Sequence, residues 1–399
     1  MQEGFVNSMN KQCAMYCIDL IRAVMQEKAV PELPSDVTLE ELYSVAKLHA
    51  VEALVFHGLE QLNIDENNPV WQNWRNRADL LLTQSIVQLA ERDRLFAALP
   101  AGGIPILPVK GCWLKEQYPD IDYRQMSDLD ILIRPEDAAA AKQIMVKLGY
   151  TPENGPSDNH DEYAKPPYMG VELHTSLLPE EDPRCGYYDR IREKAVAAEE
   201  YPGVYRLKPE DEYIFFLVHL YKHVCYAGTG IRPFLDCLVY RKLWPDMDQN
   251  YLQREYHVLG LGAFAAQVEQ LSDCWFETGD EIPSSLAKIA QSVISSSVYG
   301  TANEEFQLNM ERMYEKYHSR FVAHLAYWLY RLFAPLEEME PQYPILGKYP
   351  WLLPVYWVVH LVQKVTREPK ELLQHFKKVN EAGEKYGEGK AGWNPDSNE

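Results

Sequence analysis

The hydrophobic pattern changes period twice along the chain. From Asn10 to Gln26 apolar positions recur at spacings of three and four (Ala14, Cys17, Leu20, Ile21, Val24), which predicts one face of a helix. Thr38-Leu39-Glu40-Glu41 then gives a capping signal ahead of Leu42, Val45, Ala46, Ala50, Leu54 and Val55. A third helix is expected from near Arg77 to Leu99, with Leu82, Ile86, Leu89 and Phe96 among its buried positions. At Ile104 the character becomes β. Ser127-Asp128-Leu129-Asp130-Ile131-Leu132-Ile133 and Val171-Glu172-Leu173-His174-Thr175-Ser176-Leu177 both alternate, as half-buried strands do. Between them Pro135 to Tyr150 reads as a helix, with Pro at its start, Glu136 and Asp137 in the first turn and Gly149 as a stop. Residues 151–170 are full of turn formers and predict a hairpin or an exposed excursion; for His160, Asp161 and Glu162 within it a solvated polar loop is the default over a metal role.

Helical periodicity returns after an acidic, Pro-containing linker near Pro179 to Pro183. The helix from Lys208-Pro209 to about Tyr226 is apolar nearly all round and so should be buried. A polar stripe of Glu212, His219, Lys222, His223 and Tyr226 interrupts it, and a buried helix with one polar stripe commonly lines a cavity. His219 and His223 have a zinc-compatible spacing, but Leu220 stands where H-E-x-x-H needs Glu. Arg232 could reach a phosphate from a helix start, or pair with Asp236 at i, i+4. Further on, Glu304 to Leu332 and Pro350 to Val365 carry aromatic stripes suited to a core or a homodimer face. Trp351 to Val362 is too short to span a bilayer and is expected to be a buried helix, with contact at a membrane surface as the lesser alternative. These readings give an α+β chain: a small mixed sheet within 101–185, helical regions over 1–100 and 186–385, and a polar, Gly-rich tail at 386–399 expected to be disordered.

Composition narrows the function. Apolar content of 46% and aromatic content of 12% fit packed globular material. A formal charge of -20, from 59 acidic and 39 basic residues, repels phosphate backbones, so nucleic acid is not the expected partner. Seven scattered cysteines without C-x-x-C, and an N-terminus without a charged head and apolar core, give a cytoplasmic expectation.

The chemistry concentrates on the two alternating segments. In a strand Asp128 and Asp130 share one face and Leu129, Ile131 and Ile133 the other. Two like charges beside a core are costly unless a cation neutralises them, and an oxygen-rich pair suits Mg²⁺ or Mn²⁺. If the second strand is a neighbour, Glu172 completes a three-carboxylate set, with His174 on its face. D-x-D alone is common at strand starts and means little.

Together with the turn Lys110-Gly111, Arg124 ahead of the D-x-D, and Glu172-Leu173-His174, the pattern resembles the DNA polymerase β-like nucleotidyltransferase superfamily. More narrowly it resembles a bacterial family of uncharacterised nucleotidyltransferases, over about Pro105 to Leu178. That resemblance implies a nucleotidyltransferase core in which Asp128, Asp130 and Glu172 are catalytic and bind metal. Lys110, Gly111, Arg124, His174, Lys222, His223 and Arg232 would contact the nucleotide. It implies transfer of an NMP group from an NTP to a hydroxyl of a small molecule or protein. Superfamily members commonly carry Gly-Ser at the turn, where this chain has Lys110-Gly111-Cys112. A non-catalytic nucleotide sensor or scaffold, and a metal-dependent phosphohydrolase, are the alternatives.

Overall fold

A computed structural model describes residues 11–153, 159–180, 182–226, 228–297, 310, 313–314, 316–339, 343–367 and 379. They fall into two compact units, one formed by 1–224 with 228–299 and the other by 225–227 with 300–394.

The first unit opens with four helices: α1 (Lys11–Met25), α2 (Leu39–Leu48), α3 (Glu52–Leu59) and α4 (Pro69–Ala101). The capping box at α2 forms as the sequence predicts: Glu41 N donates to Thr38 Oγ1 and Thr38 N to the Glu41 carboxylate, both at 3.2 Å. Ala50, at φ +52°, separates α2 from α3. In α4 the buried stripe is only partly the predicted one: Phe96 is buried and Leu89 half-buried. Leu82 and Ile86 are exposed, and the inward positions include Ser85, Gln88 and Arg92. Apolar periodicity misplaces this face because the helix packs on backbone that needs donors. Gln88 Nε2 donates to Met126 O (2.8 Å) and Arg92 Nη1 to Cys112 O (3.0 Å).

The sheet has five strands in the order β1-β2-β5-β4-β3: β1 (Leu107–Val109), β2 (Asp128–Leu132), β3 (Thr151–Pro152), β4 (His160–Lys165) and β5 (Met169–His174). β2 and β5 are parallel and the other pairs antiparallel. A short helix α5 (Gly111–Leu114) follows β1, and α6 (Ala138–Lys147) follows β2. Leu129, Ile131, Val171, Leu173 and Tyr163 form the buried face with Leu95, Leu99, Ala141 and Met145. Each such aliphatic side chain contributes about 1.5–3 kcal/mol. A one-residue slip of β2 would lose this and bury both of its carboxylates, so the alternation fixes the register. Of the two readings of 151–170, hairpin or exposed excursion, the hairpin holds: His160–Lys165 pairs antiparallel with β5 and is an interior strand of this sheet.

The opposite face meets α7 (Pro209–Tyr226) and α8 (Arg232–Leu243), which α9 (Gln249–Leu259) and α10 (Gly262–Ser272) follow. α7 is buried along nearly its whole length, as its apolar circumference predicts. A π-helical turn, Asp273–Thr278, returns to α1, where Arg22 Nη1 donates to Trp275 O at 3.0 Å.

The second unit contains α11 (Arg320–Leu332) and α12 (Leu353–Arg367), with Met310, Tyr314, Ala323 and Val379 in its core. The Trp351 to Val362 stretch is helical but not buried: Trp351, Val355, Val358 and Val362 are exposed. Spaced by three and four, these positions form one face of an amphipathic helix rather than the core of the unit. The tail at 386–399 lies outside the described residues. No described helix is long and apolar enough to cross a membrane.

Candidate active site

β1 ends at a turn built from both sides. Lys110 sits at φ +54°, ψ -121°, a conformation that non-glycine residues rarely adopt. Two contacts hold it there. Its backbone N–H donates to Glu212 Oε1 on α7 (2.9 Å), and its ammonium donates to Asp130 Oδ1 on β2 (2.7 Å). At Gly111 a Cβ would lie 2.7 Å from Arg124 Nη1 and 2.8 Å from Met126 Sδ, so any larger residue must displace the ends of those two side chains. Its role in the structure is thus close packing against those side chains. Cys112 turns its thiol inward to Asp130 O (3.4 Å).

The register places Asp130 directly opposite Glu172, and Asp128 opposite Gly170. A Cβ on Gly170 would be 3.0 Å from Ser127 O and 3.4 Å from Asp128 Cβ, which is why the residue beside Asp128 is glycine. His174, two residues beyond Glu172 on the same face, brings Nε2 to 3.1 Å from both Asp130 Oδ1 and Glu172 Oε2. The three acids and His174 therefore converge from two adjacent parallel strands.

The carboxylates are electrostatically unequal. Burial and the neighbouring Asp130 and Glu172 charges push Asp128 up to about 6. Burial also acts to raise Asp130, but the Lys110 ammonium and His174 outweigh it and hold that carboxyl well below its ordinary value. Glu172 is lowered, chiefly by its hydrogen bond to His174. Burial works against a charged His174, yet its bonds to Asp130 and Glu172 raise it overall. Ionised oxygens, with one carboxylate short of positive charge, are a donor set that fits a hard divalent cation.

These residues open on a cavity of about 220 Å³. Lys110, Gly111, Arg124, Asp128, Asp130, Glu172, His223 and Arg232 line it, as do His219, Thr229, Phe216 and Asp236. His174 stands behind the acids. Lys222 is exposed and does not line the cavity, because it projects from the outer side of α7. The side chain of Tyr226 lies outside the described residues. Arg124 makes a buried bidentate pair with Asp236 (2.8 and 3.0 Å), and Tyr118 Oη donates to the same carboxylate at 2.6 Å. The pairing read from sequence between Arg232 and Asp236 is therefore replaced: Arg232 Nη1 donates instead to Gln125 O (2.8 Å). His219 and His223 approach to 3.3 Å between their Nε2 atoms. Burial and then Lys110 press both down, His223 to about 4, so each is a neutral hydrogen-bonding group and not a cation.

Two contributors carried no site role in the sequence reading. Asp236 orients Arg124 across more than a hundred residues, a separation no local pattern encodes. Glu212 belonged to the polar stripe of α7, but its task of bracing Lys110 requires the tertiary structure. Burial pushes it up to about 7, against the hydrogen bond from the Lys110 backbone.

A family model described as "uncharacterised nucleotidyltransferase" matches residues 35–277, more than half of the chain. No curated protein and no solved structure matches it. The matched span runs from ahead of α2 to the π-helical turn after α10, and takes in every residue of the cavity described above. On that match the chain belongs to this family of uncharacterised nucleotidyltransferases.

Proposed function

We propose that the chain transfers a nucleoside monophosphate from an NTP to a hydroxyl of a small molecule or a protein, with Mg²⁺ or Mn²⁺, and that it is a DNA polymerase β-like enzyme. One observation carries the metal dependence. The cavity is lined by three cationic side chains (Lys110, Arg124, Arg232) against four carboxylates (Asp128, Asp130, Glu172, Asp236), and its two histidines are neutral. Arg124 and Lys110 are moreover already paired with Asp236 and Asp130. A triphosphate cannot enter a site of that sign on side-chain charge alone.

When bound at Asp128, Asp130 and Glu172, divalent cations supply charge neutralisation and Lewis acidity to the phosphates. The chain's own residues do the rest. Glu212 fixes the Lys110 turn, and Lys110 holds Asp130 in place. His174 keeps Glu172 ionised and oriented. Arg232 flanks the phosphates from the start of α8, with Thr229 and His223 as neutral hydrogen-bonding groups. Phe216, Leu220 and Met126 supply apolar surface for a base. The acceptor oxygen attacks the α-phosphorus, its proton passes to a carboxylate of the cluster, and the α–β bridging P–O bond breaks to release pyrophosphate.

The charge of -20 argues against a nucleic acid acceptor. Incubation with α-labelled ATP, CTP, GTP and UTP and a cell extract tests the reading. Label should move to a small molecule or protein with wild type and not with D128N/D130N. Pyrophosphate or phosphate release in water alone would instead make the protein a hydrolase, and labelled RNA as the main product would contradict the charge argument.

A further inference from the structure

We propose that the same sheet face carries a second cation site of different chemistry, in which His160, Glu172 and His174 bind a borderline divalent transition metal of the Zn²⁺ class. The proposal shares Glu172 with the nucleotide site but does not depend on nucleotidyl transfer.

Register brings the groups together. β4 and β5 are antiparallel with His160 opposite His174 and Glu162 opposite Glu172, so all four side chains share the face that also bears Asp128 and Asp130. One ligand atom from each of His160, Glu172 and His174 lies within 4.8 Å of the others. The imidazole rings of His160 and His174 are 5.0 Å apart between centroids. Two atoms bound to one zinc at ~2.0–2.1 Å with tetrahedral angles stand about 3.3 Å apart. His174 Nε2 to Glu172 Oε2 is 3.1 Å, so one edge of such a polyhedron already exists. Side-chain rotation within the His160, Glu172 and His174 set closes the remainder, with solvent as a further donor.

The surroundings suit ligation. His160 Nδ1 lies 3.0 Å from Asn159 Oδ1; with Nδ1–H donating there, Nε2 carries the lone pair. Orienting a ligand ring through its other nitrogen in this way is usual in metal sites. His174 is 7% exposed, and its Nε2 faces Glu172 and Asp130, each at 3.1 Å, so a bound cation would take the place of the proton it shares with those carboxylates. Two imidazoles and carboxylate select Zn²⁺, Co²⁺ or Ni²⁺ over Mg²⁺, which prefers an all-oxygen shell. The exposure of Glu172 and Glu162 leaves a route in from solvent.

The test uses the full chain stripped with a chelator, then dialysed against Zn²⁺ and, separately, titrated with Co²⁺ in the presence of excess Mg²⁺. The expected result is one Zn²⁺ per chain, and visible Co²⁺ absorption of the intensity that a four- or five-coordinate site gives. H160A and H160N should weaken Zn²⁺ binding by more than about 100-fold, since a ligand is removed and not merely an orienting partner. Their circular dichroism should match wild type. D128N/D130N should keep the Zn²⁺ site while losing Mg²⁺–NTP binding, which separates failure of this inference from failure of the transferase reading. Zn²⁺ bound equally by H160A and wild type, or Co²⁺ displaced stoichiometrically by Mg²⁺, overturns the proposal.

Discussion

Asp128 should destabilise the metal-free protein, and neutralising it should stabilise the fold while removing the proposed activity. Its carboxyl is pushed from 3.8 up to about 6 by burial, then by Asp130 and Glu172, with Lys110 only partly compensating. Between those two pH values the native state holds a proton that the unfolded state has released. Stability therefore falls as pH rises through the window, and the penalty is complete above about pH 6. At 1.36 kcal/mol per pH unit, a rise from 3.8 to about 6 corresponds to about 3 kcal/mol. Because the group is only partly buried, screening reduces this to about 1–3 kcal/mol.

Chemical denaturation of wild type and D128N in EDTA, at intervals from about pH 4 to pH 8, measures the effect. The two proteins should unfold alike near pH 4. D128N should become the more stable by about 1–3 kcal/mol above pH 6.5. Asn keeps the shape of Asp and does not titrate, so groups remote from the cluster cancel in the difference, which reports Asp128 together with its repulsion of Asp130 and Glu172. Addition of Mg²⁺ and an NTP should reverse the order, because only wild type binds them and ligand binding stabilises the native state. A difference independent of pH, or a D128N less stable than wild type at pH 8 without metal, would refute the electrostatic account of the cluster.

Other predictions concern the frame around the acids. G111A should lose about 1–3 kcal/mol through overpacking against Arg124 and Met126, read as a lower denaturation midpoint; an unchanged midpoint would mean that the turn relaxes freely. D236N leaves the buried Arg124 charge without its partner and should cost about 3–5 kcal/mol, whereas K222A, on an exposed residue, should change stability by less than about 0.5 kcal/mol. E212Q keeps an acceptor for the Lys110 N–H but removes a carboxyl pushed up to about 7. An ionised Glu212 is disfavoured in the fold, so stability contributed by its protonated form is lost as pH rises from 4.5 towards 7 in wild type; E212Q should not show that loss in pH-dependent melting.

What could be read from the chain was what a period encodes. Alternation over 127–133 and 171–177 gave the shared face of Asp128, Asp130 and Glu172 without knowledge of their partners, because burying Leu129, Ile131, Val171 and Leu173 leaves the acids one side only. The all-round apolar character of α7 likewise predicted its burial. What could not be read was wherever an inward position is polar. Ser85, Gln88 and Arg92 face inward on α4 because the backbone at Cys112 and Met126 needs donors, and an apolar stripe count then selects the wrong side. Strand β4 stayed ambiguous between a hairpin and an excursion for the same reason: His160-Asp161-Glu162 is polar on both sides, and only its pairing with β5 makes it a strand. Arg124 was singled out as a nucleotide contact, but its partner was not legible, since Asp236 is more than a hundred residues away.

The strained turn at Lys110 shows how the sheet and the helical region depend on each other. A lysine at φ +54° persists only if its surroundings impose that conformation, and the two groups that do so come from different halves of the chain: Asp130 from β2 and Glu212 from the first turn of α7. Tyr240 Oη, on α8, also approaches Glu212 Oε1, at 3.3 Å. α7 and α8 are thus not a cover laid over a finished catalytic sheet. Without them the Lys110 amide loses its acceptor, Asp130 loses a correctly placed cation, and Arg124 loses Asp236. The family match extends to residue 277 and does not stop at the end of β5, which is the span expected if the unit that must persist is the sheet together with these helices. An isolated 101–185 fragment would carry all three acids yet lack Glu212 and Asp236, so the geometry of its site would not be set.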